Sequence, residues 1–376
     1  MRKHRLFTPG PTPVPTQSLL AMAHPIDHHR LDEATEAIKE VSENLKLVFQ
    51  TDNDVMILTS SGTGGLEASV VNLLSPGDRA IVIRGGKFGE RWGEICQAYG
   101  IQIIPIDLEW GKAVDPSDVD RSLREHGDVK AVFATLCETS TGVLHDIKSL
   151  AEITSKTEAV LVVDAVSALG ADELRMDEWG VNVVVSSSQK GLMTPPGLAF
   201  ISFDEKAWRM AESSRLPKYY FDLKKARDKG LQGSTPFTPA ISLIVGLRES
   251  LRMIVNEGVE NVIARHARLA RATREAAIAL GLELFAERPA NTVTSIKVPN
   301  GVDGVKFVKM MRSRYGITYA GGQEKLKGRI IRIAHLGWMD EFDVLTAIGG
   351  LEIGLKEMGY PVKPGSGLTA AMEALM

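Results

Sequence analysis

Short apolar, β-branched runs recur through the first two-thirds of the chain, most of them followed by a helix-compatible stretch, and this alternation limits the fold more than any other feature. DVMILTSS reads as a short buried strand, and a helical pattern from Leu66 to Leu74 follows it. RAIVIRGG is the next strand, with a helix through Arg91 to Tyr99. IQIIPIDL, VKAVFATLCE, AVLVVDAVS, VNVVVSSS and GLAFISF continue the series, with polar helical stretches such as SDVDRSLREHG and SLAEITSKTE between most of them. Continuously apolar strands separated by amphipathic helices predict an α/β fold: a mainly parallel sheet covered on both faces.

The pattern changes after Thr238. PAISLIVGLRESLRMIV and VENVIARHARLARATREAAIALG read as long helices, followed by NTVTSIKVP (strand), GVKFVKMMRSRYG (helix), GRIIRIAHLG (strand) and DEFDVLTAIGGLEIGLKEMG (helix). These predict a smaller α+β C-terminal domain joined to the first by a long helix. We place the boundaries at 1–18 for an N-terminal loop segment, 19–256 for the large domain and 257–376 for the small one. The Pro- and Gly-rich start and VKPGSG read as loops, and LTAAMEALM as a helical tail. A chain of 376 residues is long enough for both cores.

Bulk properties exclude several classes. The net charge of -3 suggests no nucleic-acid or membrane-surface partner. Cys96 and Cys137 are too few for a disulfide framework or a four-ligand zinc site, and Cys137, in a strand-like run, reads as a buried free thiol. MRKHRLFTPGPTPVP has a basic start but no apolar stretch behind it, unlike a secretory signal. No window approaches the ~20 consecutive apolar residues of a membrane span. The expected setting is cytoplasmic and reducing.

Ligands of open α/β sheets collect beyond the C-terminal ends of the strands, and four such ends carry unusual residues. In SSGTGGLEAS, residues 60–69, Gly62, Gly64 and Gly65 open a helix N-terminus whose N–H groups suit a phosphate, with Ser61 and Thr63 adding hydroxyls; a plain Gly-rich turn is the alternative. The third glycine of a dinucleotide fingerprint would fall at Glu67, and no P-loop lysine follows. Asp164 closes the apolar strand LVVD: it reads as a helix cap, a salt-bridge partner, or the partner of a protonated pyridine nitrogen. Lys190 follows the next strand and three serines, 26 positions after Asp164 (190 − 164), where a desolvated amine suits Schiff-base chemistry. Arg332 interrupts an apolar strand and needs an anion, either a buried ion-pair partner or a substrate carboxylate.

The order phosphate loop, aromatic, Asp, Lys, Arg, together with VVDAVS and SSSQKG, resembles the class V aminotransferases of pyridoxal-phosphate fold type I, most closely the alanine–glyoxylate, serine–glyoxylate and serine–pyruvate group. The resemblance runs from FTPGPTPVP through RIAHLG. It implies a seven-stranded, mainly parallel sheet in the large domain and pyridoxal 5'-phosphate as cofactor, with Lys190 bonded to it. It also implies Asp164 at the ring nitrogen and Ser61, Gly62 and Thr63 around the phosphate with Gln189 nearby. Phe88 would stack on the ring, Val166 would pack against it, and Ser140 would lie near ring and substrate. Arg332 would grip the substrate carboxylate, while Gly10 and Pro11 would edge the pocket. A polar residue of the neighbouring subunit, Thr238 in preference to Thr235, would complete the phosphate site of a homodimer. The loop His28–Arg30 resembles a family loop near the active site. No metal is implied.

The implied reaction is ping-pong transfer of an amino group from alanine or serine to glyoxylate or pyruvate. Two alternatives stay open: a 2-aminoethylphosphonate-type aminotransferase, and a non-catalytic fold relative serving as a subunit of a redox complex. A cysteine desulfurase is set aside because no cysteine follows Cys137.

Overall fold

The computed structural model describes residues 3–25 and 28–376. Its thirteen strands are β1 (Arg5–Phe7), β2 (Val55–Leu58), β3 (Arg79–Arg84), β4 (Gln102–Asp107), β5 (Val129–Thr135), β6 (Cys137–Glu138), β7 (Val143–Leu144), β8 (Val160–Asp164), β9 (Val183–Ser187), β10 (Ala199–Phe203), β11 (Val293–Lys297), β12 (Ile317–Gly321) and β13 (Ile330–Ala334). Seven of them form the large sheet in the order β2-β10-β9-β8-β5-β3-β4. Only β10 runs against its neighbours, so the sheet is mainly parallel, as the alternation predicts.

Both faces of that sheet are buried because side chains alternate along each strand. Leu161, Val163, Ile81 and Val132 enter one core, while Val160, Val162, Val82 and Phe133 enter the other. That arrangement explains why the runs are apolar at every position rather than every second one. Cys137 is indeed a buried free thiol.

The second sheet has four strands in the order β1-β12-β13-β11 and its own core around Phe307, Tyr319, Ile331 and Leu351. Two expectations need correction here. Arg5–Phe7 is not loop: it pairs in parallel with β12, a strand that was not anticipated. The helix expected from Leu66 begins at Gly62, because the glycines form its first turn rather than the connection before it. The two long helices expected after Thr238 are present, Ile241–Glu257 and Val259–Ala279, and they meet at Gly258 with φ 88°. The first packs on the helices Thr16–Met22 and Asp32–Phe49, whereas the second packs on the tail helix Ser366–Leu375. None of the described helices is long and apolar enough to cross a membrane.

Candidate active site

Adjacent strands β8 and β9 bring Asp164 and Lys190 to the same edge of the sheet. Lys190 is 8% exposed, and its Nζ donates to the Pro9 carbonyl at 2.6 Å. Among the described residues it makes no ion pair. Burial pushes its amine down to about 8, and the charges of Arg332 and Arg91 add to that; the negative charge of Asp164 works against it. Asp164 is equally buried, and burial pushes its carboxyl up to about 6 despite the Val166 N–H donated to Oδ1 at 2.8 Å. The N-terminal segment clamps the lysine from above. Gly10 has φ 140°, and a Cβ there would lie 2.2 Å from Lys190 Nζ. Thr12 Oγ1 donates to the Lys190 carbonyl at 3.0 Å. Only glycine permits that approach.

The helix Gly62–Leu73 starts at the end of β2. Ser61 is its N-cap but supplies no side-chain cap, so the first helical amides keep the anion-binding character of an open helix start. A Cβ on Gly62 would sit 2.8 Å from Val166 Cγ2 and 3.4 Å from Ser187 Oγ. Ser187 Oγ and Gln189 Oε1 are buried and without a hydrogen-bond partner among the described residues. Buried polar atoms are rarely left so. An orphaned hydroxyl and an uncapped helix start at the Gly62 cradle, with a buried amine free of any described ion pair three residues beyond Ser187, fit a phosphorylated, carbonyl-bearing guest.

Phe88 lies half-buried in the first turn of the helix Lys87–Ala98, after β3, with the Arg91 guanidinium 4.9 Å from its ring centroid. Arg91 Nη1 also reaches Thr63 Oγ1 at 3.2 Å, tying that helix to the Gly62 helix. Ser140 Oγ accepts from the Lys87 N–H at 3.0 Å and donates to Glu138 at 2.5 Å. Arg332 is 6% exposed on β13. It donates to the Gly321 carbonyl through Nε and Nη2 (3.0 and 2.8 Å) and to the Thr139 carbonyl through Nη1 (2.7 Å). Burial pushes the guanidinium down to about 10, against the pull of Glu138. No described carboxylate pairs with it directly. Arg332 is therefore a carbonyl-anchored cation without a direct ion-pair partner among the described residues, lying within the field of Glu138.

Ser61, Gly62, Val166, Gln189, Lys190, Asp164, Phe88, Ser140, Gly10 and Arg332 thus collect from seven separate stretches of chain. Thr235 and Thr238 do not join them. They line a hollow of about 460 Å³ with His29, Arg30 and Lys229, where Thr238 is exposed and Thr235 Oγ1 is turned to the Phe237 carbonyl. Sequence reasoning missed Glu138, Arg91 and the Pro9 carbonyl. Glu138 carried the same signal as Asp164, an acid closing an apolar strand-like run, whereas the other two depend on contacts no spacing reveals.

A doubly covered parallel sheet with a buried lysine and aspartate at neighbouring strand ends defines the class of protein, a pyridoxal-phosphate-type α/β enzyme. Residues 15–330 match the family model "Aminotransferase class-V". The chain is 44% identical to "Soluble hydrogenase, small subunit" of Synechococcus sp. (strain PCC 6716), covering 99% of this chain and 98% of the relative. It is 37% identical to "L-aspartate--glyoxylate aminotransferase" of Paracoccus denitrificans (strain Pd 1222), covering 98% and 95%. The crystal structure of ureidoglycine-glyoxylate aminotransferase from Bacillus subtilis superimposes with a TM-score of 0.94 at 29% identity, covering 100% of this chain and 98% of that one. The chain belongs to the class V aminotransferase family and is a transaminase; the family works with pyridoxal 5'-phosphate.

Proposed function

We propose that this protein binds pyridoxal 5'-phosphate through Lys190 and moves an amino group from alanine or serine to glyoxylate or pyruvate, in two half-reactions taken in turn. The observation that carries the reading is the Lys190 amine: buried at the strand end next to that of Asp164, free of any described ion pair, and pushed by burial down to about 8. When bound, the cofactor supplies an electron sink for charge developing at the substrate α-carbon. The chain's residues do the rest. Asp164, ionised above about pH 6, holds the ring nitrogen in its charged form. The amides of Gly62 and Thr63, with Ser61 and Gln189, would hold the phosphate, Phe88 and Val166 would pack against the ring, and Ser140 would lie near ring and substrate. Lys190 Nζ takes the proton from the substrate α-carbon and passes it on, as base and then as acid. Arg332 orients the carboxylate as a planar fork, and Gly10 keeps the N-terminal loop clear of Nζ.

We place the protein in the cytoplasm as a homodimer. Exposed Leu19 and Leu20 on the helix Thr16–Met22, beside a hollow of about 440 Å³ edged by Ile241 and Val245, support such an interface. In the dimer, Thr238 completes the partner's phosphate site. The most similar relative named above is called a hydrogenase subunit, a description of that protein alone; the intact set Lys190, Asp164 and Arg332 in this chain supports catalysis. Absorbance spectra of purified protein with pyridoxal 5'-phosphate test the reading. A bound-cofactor band lost in Lys190→Ala is expected, and alanine or serine should convert it where aspartate, glutamate and 2-aminoethylphosphonate do not. No band under any condition would hand the case to a non-catalytic subunit, and conversion by the phosphonate alone would overturn the carboxylate fork.

A further inference from the structure

Between the ring side of the site and its carboxylate side stands one acid, Glu138, which is 1% exposed. Its Oε2 accepts the N–H groups of Phe88 (3.1 Å) and Gly89 (2.9 Å), and its Oε1 accepts Ser140 N–H (3.2 Å) and Ser140 Oγ (2.5 Å). Burial pushes this carboxyl up, and the Ser140 hydroxyl and the three amides pull the other way. Both oxygens face donors, which suits the carboxylate, and the Lys87–Ala98 helix start offers the favourable end of its dipole. The next residue, Thr139, gives its carbonyl to Arg332. Its hydroxyl donates to Ser167 Oγ at 2.5 Å, in the turn after Asp164. Two glycines make the approach possible. A Cβ on Gly86 would lie 2.4 Å from Glu138 Cδ and 2.5 Å from Ser140 Oγ, and one on Gly89 would meet the Ile83 carbonyl at 2.5 Å.

We propose that Glu138 is a positioning residue that fixes the Phe88 turn and the Ser140–Arg332 side of the site relative to one another. Its effect on catalysis rests on the roles given above to Phe88, Ser140 and Arg332; its effect on the chain does not. In Glu138→Gln one acceptor oxygen becomes an amide donor, so the Phe88–Gly89 amides and the Ser140 amide can no longer all be satisfied.

The experiment has two readouts on Glu138→Gln. In cofactor-free protein, amide hydrogen exchange over residues 86–90 and 138–141 should speed up by about tenfold, the usual scale for losing a hydrogen bond to a charged group. In titrations with pyridoxal 5'-phosphate, affinity should fall by about tenfold. Phe88→Leu, costly in the otherwise unaltered chain, should then add little in the Glu138→Gln background. A merely structural acid would leave the two losses multiplying. Unchanged exchange, or multiplying losses, overturns the proposal. If Glu138→Gln does not fold, Gly86→Ala gives the same test: its backbone is extended (φ 171°), and its new methyl displaces the carboxylate without neutralising it. If the unaltered chain binds no pyridoxal 5'-phosphate, the cofactor reading fails by itself, while the exchange measurement still decides the role of Glu138.

Discussion

The reactivity of Lys190 gives the sharpest quantitative test. Its buried site holds the amine at about 8 against an ordinary value of 10.5. At pH 7 about a tenth of the amines are then neutral, compared with about three in ten thousand for an ordinary lysine, a gain of roughly 300-fold in the form that attacks a carbonyl. The perturbation is pH, applied to cofactor-free protein. The rate of covalent pyridoxal 5'-phosphate incorporation should climb about tenfold from pH 6 to 7, bend near pH 8 and level off by about pH 9. Rapid-mixing absorbance follows the reaction, and borohydride quenching with peptide mapping assigns it. In Asp164→Asn the loss of a nearby negative charge removes support for the ammonium form, so the bend should move to lower pH. A rate that keeps rising tenfold per pH step beyond 9.5, or a label on any lysine but 190, would refute the reasoning.

Three further outcomes are expected. Arg332→Gln should lower kcat/KM for alanine or serine by about a hundredfold, since losing two charge-assisted hydrogen bonds to a carboxylate costs roughly 3 kcal/mol; in steady-state assays, an amine without a carboxylate should show no such loss. Cofactor affinity in equilibrium dialysis should weaken as pH falls through about 6, because protonation of Asp164 removes the negative partner of the ring nitrogen; the step should vanish in Asp164→Asn. Gly62→Ala places a methyl 2.8 Å from Val166 Cγ2, and overpacking of this kind costs about 1–3 kcal/mol, to be read from denaturant unfolding alongside a fall in cofactor affinity.

The parts of this molecule legible in the sequence are those set by local pattern. β5, β8 and β9 announce themselves as unbroken apolar runs because both faces of the sheet are covered, and Asp164 and Lys190 stand out as polar residues where those runs stop. β1 and β12 were invisible for the complementary reason. Arg5–Phe7 is three residues long and becomes a strand only by pairing with Ile317–Tyr319, more than three hundred positions away. Glu138 shows a third case. Its residue type was conspicuous, but its meaning lay in Phe88 and Gly89, whose amides it accepts across fifty positions. Thr238 shows the limit of a single chain: it sits exposed in a basic hollow whose proposed purpose requires a second copy.

The N-terminal segment illustrates what such long-range pairing can do for function. β1 belongs to the small sheet, Pro9 and Gly10 touch the Lys190 amine, Thr12 holds the Lys190 carbonyl, and Thr16–Met22 packs on the helix Ile241–Glu257. One continuous stretch therefore runs from the small sheet, past Lys190, to a helix packed into the core of the large sheet. Another tie between the two sides is Arg332, carried on β13 of the small sheet and bonded to Thr139 beyond β5 of the large one. Arg332 and the Lys190 amine, to which we assign substrate grip and the reacting group, are thus both mounted on the junction of the two sheets. On the proposed reading, the grip on substrate and the reacting amine therefore share that junction, each held by one hydrogen bond across it.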